Sequence, residues 1–197
     1  MVSDDRAPGL RERKKLRTRE TIRTEALKLF EANGYSATTV EQIAEAADVS
    51  PSTFFRYFTN KEALLIPDQL MDPIINTFIN APAELSPVAA YRLAVGQMFT
   101  GISDTAWEPE RARQNLMYTL PEARGALYSQ YIDTIEQITD ALAIRLNLRP
   151  DDLRLRTTAG AITGVIMASL HGAAMNPEDI YRALDFLDAG LPLKDLG

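Results

Sequence analysis

Helix starts recur through the first 65 residues of this chain, each carrying its own capping chemistry. Thr39 and Gln42 form a capping box ahead of a short helix from Val40 to Ala46. Ser50 caps the next helix, with Pro51 at the first helical position, where a missing N–H costs nothing. Thr59 and Glu62 repeat the box pattern around Lys61–Leu65. Before these, Ile22, Ala26, Leu29 and Phe30 form one apolar stripe of a helix from about Leu10 to Asn33, with Gly34 as a left-handed stop. No segment alternates with the period of a strand.

The remainder keeps the same period in longer helices. Ser86-Pro87 opens a helix running to about Ser103, a further helix spans roughly Glu108 to Leu120, and Pro121 opens the next. That one carries Leu127, Tyr131, Ile135, Ile138 and Leu142 on one face. Pro150-Asp151-Asp152 starts a Gly/Ala-rich helix. Pro177 starts the last, with a stripe of Ile180, Leu184, Leu187 and Leu191. The expected fold is all-α, about nine helices. A smaller N-terminal domain (1–62) holds a basic arm and short helices, and a larger C-terminal helical domain covers 63–197.

Composition narrows the function. With no cysteine, disulfides and thiolate metal sites are excluded and a cytoplasmic location fits. Residues Met1 to Leu10 contain Asp4, Asp5 and Pro8 and no apolar run, which argues against a secretory signal. Thr157 to Met175 lacks acids, lysine and arginine, but its Gly, Ala, Ser and Thr make it a buried helix, not a membrane span. The net charge of −6 is unevenly spread. Residues 1–62 carry 11 Lys+Arg against 10 Asp+Glu, and the rest carry 10 against 17. Arg11, Arg13, Lys14, Lys15, Arg17 and Arg19 fall within nine positions. Such a run is either a nucleic-acid-facing end or a solvated tail.

Ala47-Asp48-Val49 joins two short helices at helix-turn-helix spacing, with Val40, Ile43, Ala44, Val49, Phe54 and Phe58 as the interior. The second of the two leaves Ser52, Thr53, Phe55, Arg56 and Tyr57 on its outer face, a hydrogen-bonding and aromatic set. Residues 18–65 resemble the DNA-binding region of the tetracycline-repressor (TetR) family. The matching features are Gly34-Tyr35 after the first helix, Thr39 spaced before Ile43-Ala44, Val49-Ser50 leading to Thr53, Phe55 and Phe58, and Lys61-Glu62 before Leu64.

The resemblance implies that Ser52, Thr53, Phe55, Arg56 and Tyr57 face a major groove. Arg56 and Ser52 would be aimed at base edges and Phe55 at a thymine methyl or sugar, unless Phe55 packs on the first helix. Thr39, Tyr57 and Lys61 are the candidate phosphate contacts, Ser50 is a further candidate DNA-binding residue, and Arg17 with its basic neighbours adds sequence-independent attraction. Lys61 has a plainer reading as an exposed helix residue. A reading head of this size needs two copies with two-fold symmetry, so the expected partners are double-stranded DNA with a palindromic operator and a second copy of the chain. Gly160, Gly164, Ala168 and Gly172 form a small-residue ridge which, with Leu184 and Leu187, is the candidate dimer face; the alternative packs the ridge inside one subunit. Phe99, Trp107, Asn115, Met117, Tyr118, Tyr128 and Tyr131 are the candidate lining of a small-molecule effector pocket, or else ordinary core. Pro67 is expected to kink a helix connecting the two domains.

The reading that follows is a repressor released from its operator by a small, largely apolar ligand, with no cofactor, metal or membrane. A DNA-binding regulator without a ligand, and an activator, stay open beside it. An enzyme is not expected. The chain has no Gly-x-Ser-x-Gly elbow, phosphate-binding loop or His-Glu-x-x-His, and its one histidine leaves few nucleophile–base pairs.

Overall fold

The computed structural model describes residues 9–66, 71–100, 104–171 and 176–193. Among them are nine α-helices and no strand: α1 (Leu10–Asn33), α2 (Val40–Ala46), α3 (Pro51–Tyr57), α4 (Met71–Asn80), α5 (Pro87–Phe99), α6 (Asp104–Thr119), α7 (Arg124–Leu146), α8 (Leu153–Leu170) and α9 (Pro177–Asp188). Short 3-10 turns cover Glu62–Leu65 and Pro121–Ala123. The chain divides into two compact units, one ending at Leu65 and the other beginning at Ile66.

In the first unit α1 packs on α2 and α2 on α3. Ile22, Ala26, Ile43, Ala44, Phe54 and Phe58 are fully or almost fully buried. The capping box at Thr39 forms both ways: Gln42 N–H donates to Thr39 Oγ1 at 3.2 Å, and Thr39 N–H donates to Gln42 Oε1 at 2.8 Å. Ser50 Oγ accepts from Thr53 N–H at 3.1 Å. Gly34 sits at φ +84° and ψ 151°, an extended mirror-side conformation open almost only to glycine, not the left-handed helical one expected. The last cap also differs: Asn60, not Thr59, accepts from Ala63 N–H at 2.9 Å and starts a 3-10 turn instead of an α-helix. Pro67 lies outside the described residues.

In the second unit α7 packs against α4 and α8, and α9 against α5 and α8. The shared core includes Phe78, Tyr91, Ile138, Leu142, Ile162 and Leu184. Arg145 on α7 ties the Phe78–Leu85 segment down, donating to the carbonyls of Phe78 (3.3 Å), Ala81 (2.6 Å), Pro82 (2.6 Å) and Leu85 (3.2 Å). Asp152 caps α8 by accepting from Arg154 N–H at 2.9 Å. Burial along α7 concentrates at Ile138–Ala143, whereas Leu127, Tyr131 and Ile135 are only half-buried. α9 ends at Asp188, so Leu191 falls beyond it, at φ +57°, and is exposed. Among the described residues no helix is long and apolar enough to cross a membrane.

Candidate nucleic-acid interface and interior cavity

α3 is seven residues long and held at both ends. At its start Ser50 is committed to the cap, its hydroxyl 3.0 Å from that of Thr53. At its end Arg19, from the basic run of α1, donates to the Tyr57 carbonyl and lies 4.3 Å from the Phe58 ring centroid. A guanidinium there answers an orphan C-terminal carbonyl and the negative end of the helix. Arg23 Nε donates to the Leu64 carbonyl at 3.1 Å, so α1 also fixes the 3-10 turn. Phe54 is the buried anchor, and its ring meets Phe58 at 5.6 Å between centroids.

With Phe54 turned inward, the opposite face carries Ser52, Phe55 and Arg56, all exposed; Phe55 is 54% exposed, its ring edge-on to Phe54 at 5.4 Å between centroids. Arg56 stands over the Tyr57 ring at 5.3 Å, a contact that limits its rotamers without using its donors. Thr53 and Tyr57 are half-buried at the edges of this face. Thr39 is exposed at the start of α2. Arg17 is exposed on α1 together with Arg11, Arg13, Lys14 and Lys15, so the basic run stands on a helix and is not a tail.

Lys61 is placed differently from a surface anchor. Its Nζ donates to the carbonyls of Tyr35 (2.6 Å) and Thr38 (2.9 Å) and lies 4.1 Å from the Tyr35 ring centroid. Tyr35 in turn donates to Glu62 Oε1 at 2.8 Å. Lys61 therefore clamps the loop that delivers Thr39 to α2. Arg19, Arg23 and Lys61 thus act as clamps within this unit; the sequence pattern marks Arg19 and Lys61 as phosphate-side groups and gives Arg23 no role.

A cavity of about 150 Å³ lies inside the second unit, between α4–α9. Met98, Phe99, Met117, Tyr118 and Tyr131 line it. Two expected lining residues do not: Asn115 is exposed, and Tyr128 is 67% exposed. Each lies roughly 100° around its helix from an inward neighbour, Asn115 from Gln114 and Tyr128 from Leu127. The Trp107 side chain lies outside the described residues. The spacing around the correct residues holds the missed ones: Glu110, Arg113 and Gln114 precede Met117 at helical intervals, and Leu127, Gln130 and Thr134 accompany Tyr131. Their polar side chains hide them in the sequence, where such a stripe has the pattern of a solvent face.

Arg113 is 3% exposed and forks onto Glu110, with Nε–Oε2 at 2.8 Å and a second short bond to Oε1. Tyr131 donates to the Tyr118 hydroxyl at 3.2 Å. Burial pushes both phenols upward in pKa, so both are neutral hydroxyls near neutral pH. Across the cavity Gln114 Nε2, Gln130 Oε1 and Thr163 Oγ1 are buried and have no hydrogen-bond partner among the described residues.

On α8, Gly164 and Ala168 are exposed, and Gly160 is half-buried; a Cβ added at Gly160 or Gly164 would meet nothing within 4 Å. Among the described residues, the stretch of the ridge from Gly164 to Ala168 is therefore open to solvent within its own subunit. Gly172 is outside the described residues. Leu184 is a correction: it is 0% exposed and belongs to the core, as the first apolar residue one turn after Ile180 on the inner side of α9. Leu187 also packs, half-buried, against that core.

Comparison with known proteins gives the same division. Residues 22–66 match the family of bacterial regulatory proteins named for TetR, and residues 85–192 match the MftR C-terminal domain. The HTH-type transcriptional regulator TcmR of Streptomyces glaucescens is 37% identical over 147 residues, 72% of this chain and 64% of TcmR, so the match spans less than two thirds of that relative. A Mycobacterium tuberculosis regulator called MftR is 25% identical over 91% of this chain and 93% of its own. The fold is shared with SmeT of Stenotrophomonas maltophilia, solved with triclosan, at a TM-score of 0.60 and 23% identity over 88% of this chain and 91% of that one. A helix-turn-helix unit and a separate helical unit, each matched over its own residues, establish that the chain belongs to the TetR family of bacterial transcriptional regulators.

Proposed function

We propose that the chain is a homodimeric, sequence-specific DNA-binding repressor that leaves a two-fold-symmetric operator when a small molecule fills the cavity of its C-terminal unit. The observation that carries the reading is the outward face of α3. Ser52, Phe55 and Arg56 are exposed there, while Arg19 and Phe54 fix the helix beneath them. An exposed guanidinium on a rigid helix suits bidentate donation to guanine O6 and N7. The basic face of α1 adds attraction to phosphates.

Support for the dimer comes from the bare ridge of α8, where Gly160, Gly164 and Ala168 leave room for another helix and Leu153 and Met167 are exposed beside them. Support for the effector comes from the cavity, and from SmeT, a neighbour of the same fold solved with triclosan. Selection of duplexes from a random pool by the purified protein tests the reading. A two-fold-symmetric consensus is expected; binding that only fades with salt, without enrichment, contradicts it.

A further inference from the structure

The cavity wall specifies the kind of molecule it takes, given the reading of that cavity as an effector site. Among the described lining residues Arg113 and Glu110 carry the charge, and they are spent on each other: both Glu110 oxygens accept from Arg113. The remaining terminal nitrogen of Arg113 lies 4.0 Å from Met117 Sδ. Glu110 already neutralises Arg113, so an anionic or a cationic ligand would bring a net charge into the cavity with no counterion left to meet it, which is unfavourable.

What the wall does leave open is neutral hydrogen bonding. Gln114 on α6 and Thr163 on α8 are 4% and 5% exposed; both are lining residues, and each carries an orphaned polar atom. Gln130 on α7 contributes a third, Oε1. Three helices thus each bring to the wall of the same space a residue with one unpartnered polar atom, although buried polar groups in folded proteins are nearly always paired. Nε2 asks for an acceptor, Oε1 for a donor, and the Thr163 hydroxyl serves either. Turning either amide over exchanges donor for acceptor, and a ligand group bearing both satisfies each setting. Around these atoms the wall is apolar and aromatic, with Val95, Phe99, Met117 and Ile166. A cavity of about 150 Å³ has room for a molecule the size of benzene.

We infer that the effector enters this cavity as an uncharged molecule, with an apolar or aromatic body and one compact group offering both a hydrogen-bond acceptor and a donor, such as a carboxamide or a hydroxyl beside a carbonyl. Gln114, Gln130 and Thr163 grip that group.

Four one-ring probes of similar shape test it on the full chain by calorimetry: benzamide, benzoate, benzamidine and toluene. Benzamide is expected to bind at least about tenfold more tightly than either charged analogue and more tightly than toluene. Thr163→Val and Gln114→Leu are expected to remove the preference for benzamide over toluene while leaving toluene binding unchanged. Each should melt no lower than the parent, because each deletes an orphaned polar atom. Benzoate or benzamidine binding as well as benzamide overturns the inference but keeps the cavity as a ligand site. Binding of toluene as tight as benzamide, or a preference that survives both substitutions, overturns it in the same way. Failure of all four probes to bind overturns both the inference and the effector reading beneath it.

Discussion

Replacing Lys61 with methionine separates two roles for one ammonium. Met keeps the aliphatic stem and removes the charge that holds the Tyr35 and Thr38 carbonyls at 2.6 and 2.9 Å. A hydrogen bond to a charged group contributes a net ~1.5–3 kcal/mol when well shielded. Lys61 is half-buried, which cuts the pair of bonds to about 2 kcal/mol together. The cation over the Tyr35 ring adds ~0.5 kcal/mol at such a site. The expected loss is therefore about 2–3 kcal/mol, or roughly 5–10 °C in Tm for a chain of this length. Guanidinium unfolding and a DNA-binding series in rising salt together make the assay. Folded Lys61→Met should keep the parent slope of log affinity against log salt, because no phosphate contact is lost. A variant as stable as the parent whose slope falls by about 0.9 would make Lys61 a phosphate anchor and refute the clamp.

Gly164→Arg should convert the protein to a monomer by sedimentation, since a side chain there meets nothing in its own subunit; a persisting dimer would place the interface elsewhere. Arg145→Met should cost about 2–3 kcal/mol in urea unfolding, because four carbonyls lose one guanidinium. Arg145→Lys should recover less than half of that, as an ammonium cannot fork across them. Arg154 holds the Asp152 carboxyl down at about 2 from its ordinary 3.8. A lowered folded-state value means its contribution is present above about pH 4 and lost as the pH falls toward 2. Asp152→Asn should flatten the stability profile in that window, and a profile identical to the parent's would remove the cap from the account.

Much of the fold was legible because capping chemistry is local. Thr39, Ser50 and Pro51 mark helix starts that the structure reproduces at Val40 and Pro51, since a side chain three residues from its donor needs no tertiary information. The outward face of α3 was legible in part for the same reason: once Phe54 and Phe58 are inside, the helical period puts Ser52, Phe55 and Arg56 outside, while Thr53 and Tyr57, expected with them, are half-buried. What sequence could not supply were long-range uses of polar groups. Arg19, inside a run that reads as a phosphate-facing patch, instead turns onto Tyr57 and Phe58. Arg113 and Gln114 read as surface because their burial depends on a partner one turn away and on α7 packing against their helix. Residue type misled at Asn115 and Tyr128, where chemistry suited to a pocket lies on the wrong side of its helix. Leu184 misled in the opposite sense, since an apolar stripe does not say whether its own subunit or another covers it.

The central claim, that the α3 face reads sequence while the α1 face supplies attraction, is tested most directly by comparing Arg56→Ala with Arg17→Ala on the selected consensus duplex. Arg56→Ala is predicted to relax one base position in each half-site, at a cost of about 1–3 kcal/mol on the preferred sequence. Arg17→Ala is predicted to weaken binding evenly across sequences and lower the salt slope by about 0.9. An Arg56→Ala protein that selects the unchanged consensus with undiminished stringency would contradict the account.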